Sequence, residues 1–248
     1  MTSPASVPAP QPEPLSQAAR VIDTFIAPNK TFTDLRRSAN WLVPFLLIVI
    51  ATEALVVVAD KKVGFEKMAE NSLLLQPKAA ARLDQLSAED RAKQMQKVVN
   101  ITSVSSYLSP VFILVFLLIV AGILLGTFNF GMGAELTFNQ CMAVAMYASM
   151  TGILKSLLAI LALAVGSGES FMLQNPLASN LSPLVDPSSH FLYSIAMNLD
   201  LFNIWTLVLS GIGLSCLTKV RRGTCLAVVF GWWAVWVLGT SGVGAAFS

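Results

Sequence analysis

Histidine occurs once in this chain, at His190, and cysteine three times, at Cys141, Cys216 and Cys225. One histidine cannot furnish a histidine-rich metal site. No two cysteines stand in a C-x-x-C pair, so neither a zinc cluster nor a disulfide framework is expected. Each cysteine falls in or beside an apolar stretch, where a thiol packs as a small hydrophobe. Charged residues make up only 12% of the chain, against about 25% in an ordinary soluble domain. The net charge of +2 is too small to recruit nucleic acid. H-E-x-x-H, G-x-S-x-G and G-x-x-x-x-G-K-[ST] are all missing, which excludes zinc peptidases, α/β-hydrolases and P-loop nucleotide hydrolases. No enzyme activity, metal or cofactor is expected, and His190 reads as a loop residue.

Hydrophobic residues supply 55% of the sequence, and they are concentrated. Five apolar stretches, at 41–59, 107–130, 138–165, 196–217 and 224–247, each approach or exceed the roughly 20 residues that a helix needs to cross a bilayer. The fold class is therefore all-α: a polytopic membrane protein with five transmembrane helices and a helical extramembrane loop after the first span. Residues 1–40 lack the apolar core of a cleavable signal, so the first run is expected to serve as an uncleaved signal-anchor.

Outside the spans the chain divides by composition. Residues 1–14 hold Pro4, Pro8, Pro10, Pro12 and Pro14 and read as a disordered tail. Residues 15–40 form a cytoplasmic amphipathic segment. Leu15, Ala19, Ile22 and Ile26 share one helical face, with Phe25 beside them, and Pro28 stops the helix. Such a helix suits the membrane surface or the side of the bundle. Thr31 or Thr33 is expected to cap a further turn through Asp34, Arg36 and Arg37. The membrane domain fills 41–248, interrupted by the charged loop 60–106. There Ser87-Ala-Glu-Asp90 resembles a capping box opening a helix through Val99, with Asp in place of Glu or Gln. Asn139, Gln140, Tyr147, Ser149, Thr151, Lys155 and Ser156 make the third span too polar for lipid and place it at the centre.

The short loops decide orientation. With the N-terminus in the cytoplasm, Arg36, Arg37, Lys219, Arg221 and Arg222 share the inner face, and no Lys or Arg follows the third or fifth span. The C-terminus is then outside. The basic loop 60–106 must also lie outside, which its length allows. Two ionisable residues sit deep in apolar runs, Glu53 and Lys155. They are candidates for an intramembrane charge pair between the first and third spans. Such a pair either fixes helix register or lines a polar pathway; in a third arrangement Lys155 snorkels and the two never meet. Gly122 and Gly126 form a small-x-x-x-small site that fits packing within the bundle or a homo-oligomer face.

The lead sequence Phe25-Ile-Ala-Pro28-Asn-Lys-Thr-Phe32, the basic pair Arg36-Arg37, and Trp41-Leu-Val-Pro44-Phe at the membrane edge resemble bacterial members of the Yip family, the Ypt/Rab-interacting membrane proteins. The stretch Phe138-Asn-Gln-Cys-Met-Ala-Val-Ala-Met-Tyr147 fits the third span of that family. The Asp-Leu-Tyr-Gly-Pro-type motif of eukaryotic members is replaced by Ile26-Ala-Pro28. The resemblance implies a non-enzymatic scaffold or adaptor in a bacterial inner membrane, with the bilayer and a membrane or cytoplasmic protein as partners; a Rab partner does not follow. The alternative is a small transporter or channel subunit using Glu53 and Lys155.

Overall fold

The computed structural model describes residues 13–73, 76–166 and 168–247. The proline-rich tail expected over 1–14 lies, except for its last two residues, outside the described residues. Twelve α-helices follow one another among the described residues: α1 Gln17–Ile26, α2 Pro28–Asp34, α3 Leu42–Lys62, α4 Phe65–Leu73, α5 Pro77–Asp84, α6 Ala88–Tyr107, α7 Ser109–Met132, α8 Phe138–Ser149, α9 Thr151–Val165, α10 His190–Asn198, α11 Leu201–Leu217 and α12 Arg222–Phe247. A single 3-10 turn covers Ser182–Leu184.

Four helical units are long and apolar enough to cross a membrane: α3, α7, the α8–α9 pair and α12. The 24 residues of α7 extend about 36 Å at 1.5 Å per residue, past a hydrocarbon core of about 30 Å. The fourth expected span departs from the single helix predicted over 196–217. Its C-terminal part is α11, only 17 residues long, and the chain breaks at Leu199 and Asp200 before it. The third span is one 28-residue unit interrupted at Met150, where α8 gives way to α9.

The core follows from α8. Every residue from Cys141 to Ala148 is buried, with Tyr147, Met142 and Met146 fully so. That places α8, the first half of the third span, at the centre, while α9 leaves Leu157 and Leu161 exposed. On one side lies α7, on another α11, with α3 against α9. The polar residues at the start of α8 cap it: Thr137 N–H donates to Gln140 Oε1 at 2.9 Å, and Gln140 N–H donates to Thr137 Oγ1 at 3.3 Å. This is a complete capping box. The preceding turn closes at Gly133, whose φ of +64° favours glycine. Asn129 clamps that turn, bonding both the N–H and the carbonyl of Leu136.

Close helix approach is set by Gly211. A Cβ there would come within 2.5 Å of Leu226 Cδ2 and 3.1 Å of Leu226 Cα, so α12 backbone blocks any side chain. Gly122 and Gly126 differ, since a Cβ at either meets nothing within 4 Å. No close approach within this chain depends on either of them. Gly211→Ala is expected to cost about 1–3 kcal/mol by overpacking, read as a lowered unfolding midpoint in detergent. Gly122→Ala should leave the midpoint unchanged.

The segment after α3 is helical, as expected. Ser87 Oγ caps α6 by accepting from Asp90 N–H at 3.2 Å. The reciprocal half of a capping box does not form: Asp90 Oδ2 accepts from the Ser87 hydroxyl instead, at 2.7 Å. Asp is one methylene too short to reach back to the Ser87 backbone. Asn71 of α4 fastens the segment to the loop after α9, its amide donating to the carbonyls of Glu169 and Phe171 at 2.8 and 3.0 Å. Leu55, Val56, Phe65, Met68, Leu163 and Phe171 close a second, smaller core there.

Candidate functional site

Two places concentrate polar chemistry. The first is the N-terminal hairpin. Ser16 caps α1 by accepting from Ala19 N–H at 3.1 Å, and Pro28 opens α2 at its first position, where its missing N–H costs nothing. The two short helices fold together and dock on α8 and α11. Phe32 and Leu35 of this hairpin are fully buried. Phe32 lies over Gly213, where a Cβ would come within 2.9 Å of its ring. Phe25 stacks edge-on against Trp205 at 5.7 Å.

The face that α1 turns inward carries the buried Arg20 and Thr24, flanked by the half-buried Val21 and Phe25. Arg20 is only 3% exposed. It holds Asp34 through Nε and Nη2, both at 2.7 Å, and donates from Nη1 to the Ser38 carbonyl at 2.9 Å. Thr24 and Thr31 both donate to the Arg20 carbonyl, at 2.7 and 3.0 Å. Tyr147 of the central helix donates to Gln17 Oε1 at 3.2 Å. Ile22 and Ile26, on the expected apolar stripe, are 57% and 74% exposed. The stripe therefore faces away from the bundle and is free to meet the bilayer surface. Thr31 caps nothing: it lies inside α2, and the helix end is made by backbone hydrogen bonds from Leu35.

The basic residues expected on one face are gathered at this hairpin. Arg36 Nε donates to the Cys216 carbonyl at the end of α11, at 2.7 Å. Arg222, at the start of α12, donates from Nη2 to Asn29 Oδ1 at 2.7 Å and from Nε to Ser215 Oγ at 3.3 Å. Arg37, Lys219 and Arg221 are left exposed beside them.

The second place is the break before α11. Asp200 is fully buried. Its Oδ1 accepts from the N–H groups of Phe202 and Asn203 at 2.9 and 3.3 Å, capping α11. Its Oδ2 takes the Lys155 ammonium at 3.0 Å and the Ser179 hydroxyl. Lys155 is thus paired with Asp200 and not with Glu53. Glu53 accepts from Ser109 Oγ at 3.1 Å, across to the start of α7. The backbone freed by the break is satisfied by the loop 175–184: Leu201 N–H donates to the Ser179 carbonyl at 3.0 Å, and Leu181 N–H to the Ala196 carbonyl at 3.1 Å. That accounting is what an apolar surrounding demands. One turn from Lys155, Thr151 donates to the Phe202 carbonyl at 3.3 Å and shares a hydrogen bond with Thr206.

Sequence reasoning left both pairs unassigned. For Asp200 the signal is an acidic residue opening a predicted helix, the ordinary position of a cap. For Arg20 it is the i, i+4 spacing with Thr24 opposite the apolar stripe. His190 is not a loop residue; it opens α10. Among the described residues no group of three His, Cys, Asp or Glu side chains could hold a metal ion.

The profile of the Yip1 domain matches residues 22–243, nearly the whole chain. No curated protein and no solved structure matches the chain.

Proposed function

This chain belongs to the Yip1-domain family, and we propose that it is a scaffold or adaptor of a bacterial inner membrane that crosses five times, with α10 and α11 as the fourth crossing, the N-terminus in the cytoplasm and the C-terminus outside. Membership fits a non-enzymatic, polytopic α-helical protein. The working surface is the docked hairpin together with the turn before α12. It offers Arg37, Lys219 and Arg221 to an acidic partner surface, and Ile22 and Ile26 to the head-group region.

The observation that carries this reading is the fastening of the hairpin. The buried Arg20–Asp34 pair, Phe32 over Gly213 and the Arg36 and Arg222 hydrogen bonds make residues 17–38 part of the bundle. A prefixed surface loses little entropy on binding. Deleting residues 1–40 would strip Phe32 and Leu35 from the core, so the sharper test changes only exposed side chains. The variant Arg37→Glu/Lys219→Glu/Arg221→Glu is compared with the unaltered chain by in-cell crosslinking and co-purification. A partner recovered with the unaltered chain and lost with the variant, at equal unfolding midpoint, is the expected outcome. Equal recovery from both chains would sink the adaptor reading.

One observation favours a second reading, a small transporter. The α8–α9 unit and the α10–α11 segment are both interrupted near Lys155 and Asp200, and discontinuous helices flank substrate sites in secondary transporters. Against it, both carboxylate oxygens of Asp200 are engaged in structural contacts. Gly122 and Gly126, free of close contacts within the chain, are the proposed face of a homo-oligomer should one form.

A further inference from the structure

We propose that the end of the bundle opposite the N-terminal hairpin binds an anionic phospholipid, its phosphate held between α5 and α10 and its acyl chains lying along α10 and α12. A hollow of about 500 Å³ opens there, lined by Lys78 and Arg82 of α5, His190, Tyr193 and Ser194 of α10, and Ser241 of α12. Lys78 and Arg82 stand one helical turn apart, so their side chains project together. Among the described residues neither has an ion-pair partner, and no carboxylate lines either hollow at this end. Asp186 is the nearest carboxylate in sequence before α10. It is turned into its own loop, accepting from Ser188 N–H at 2.8 Å. That hydrogen bond holds its carboxyl below the usual carboxylate range.

The donor set suits a phosphate monoanion. Arg82 offers a planar fork, Lys78 a mobile ammonium, His190 a ring N–H and Tyr193 a hydroxyl. The Ser194 and Ser241 hydroxyls bond one another at 2.8 Å and fix the floor between α10 and α12.

A free phosphate would need only these donors, but the site continues into apolar surface. A second hollow, of about 390 Å³, shares His190 and Ala245 with the first and adds Phe191 and Leu192. Leu192 and Val243 are 56% and 61% exposed on the adjoining helix faces. Cations joined to exposed leucine, valine and phenylalanine match an amphiphile with an anionic head. The location agrees: α12 is a membrane-spanning helix, and the site lies beside its C-terminal turns.

The test uses the full chain in lipid nanodiscs of phosphatidylcholine mixed with phosphatidylglycerol. Lipid retained after transfer to detergent is counted by native mass spectrometry. Phosphatidylglycerol is expected to stay bound to the unaltered chain in preference to phosphatidylcholine. Lys78→Gln/Arg82→Gln should reduce retention by about tenfold or more, the loss of at least one charged hydrogen bond. Both residues are exposed, so the unfolding midpoint should not move. Lys93→Gln/Lys97→Gln on α6, which leaves the hollow intact, should retain as much lipid as the unaltered chain. Equal retention by the Lys78/Arg82 variant would overturn the proposal. So would binding of soluble glycerol phosphate with no retained lipid, which would assign the cations to a free phosphate.

Discussion

Asp34→Ala is expected to loosen α1 from α2 within the N-terminal hairpin. The substitution leaves the Arg20 guanidinium in a site only 3% exposed, with the Ser38 carbonyl and the Tyr147 hydroxyl beside it. Removing one partner of a buried pair costs about 3–5 kcal/mol, because the other charge stays desolvated. That is a large share of the stability of two short helices. The readout is local: amide hydrogen exchange over α1 and α2 should rise steeply while α7–α12 stay protected. Arg20→Met alone should open the hairpin to a similar extent, since Asp34 would then be the unpaired charge. Arg20→Met together with Asp34→Leu should recover most of the loss, because no charge is left buried. Single variants that remain as protected as the unaltered chain would mean that Phe32, Leu35 and the Phe25–Trp205 contact hold the hairpin without the pair.

The hairpin also marks where sequence patterning reaches its limit. The apolar stripe identifies α1 through Ala19, Ile22 and Ile26, while Leu15 falls before the Ser16 cap; α1 ends at Ile26, and Pro28 opens the next helix. Patterning then predicts that the stripe faces the protein or the bilayer and cannot choose. The choice is made by a contact fourteen residues away, Arg20 to Asp34, which turns the opposite face inward. Hydrophobic periodicity weighs side chains singly, whereas a charge pair is cheap to bury only as a pair.

The same difference explains the membrane core. The long apolar runs of α3, α7 and α12 were legible because lipid demands length and apolarity along a continuous segment. The central position of the third span was legible because its polar residues must avoid lipid. The break at Asp200 was not, since hydropathy summed over 196–217 does not register one acidic residue as a cap. Pairing Lys155 with Glu53 rested on estimated depth alone. Depth cannot distinguish a carboxylate that already has Ser109 as a donor from one that also caps a helix. For Gly122 and Gly126 the spacing was legible, but not which face of α7 they occupy.

Asp200→Ala is the substitution expected to damage the membrane domain most. It removes four interactions at once: the ion pair with Lys155, the Ser179 hydroxyl bond, and the caps on Phe202 and Asn203 N–H. Loss of an N-cap alone costs about 0.5–2 kcal/mol, and stranding a buried partner about 3–5 kcal/mol. The two terms share one side chain and do not simply add, so a total of at least about 3 kcal/mol is expected. Lys155→Met should be milder. Asp200 would keep three hydrogen-bond donors from Ser179, Phe202 and Asn203, and such donors stabilise a carboxylate without a cation. Asp200→Asn preserves a cap acceptor but strands the ammonium, which is 20% exposed; adding Lys155→Met to it should restore stability. Unfolding midpoints in detergent for these four chains give the order directly. Asp200→Ala lowest, Lys155→Met close to unaltered, and rescue in the double variant would make the pair an anchor that joins α9, α11 and the loop 175–184. Lys155→Met as damaging as Asp200→Ala would remove the cap from the account and leave the charge pair as the whole effect. Full stability of every variant, with loss of solute flux in liposomes, would instead move Lys155 and Asp200 into a transport pathway, because only a functional pair is dispensable for folding and indispensable for passage.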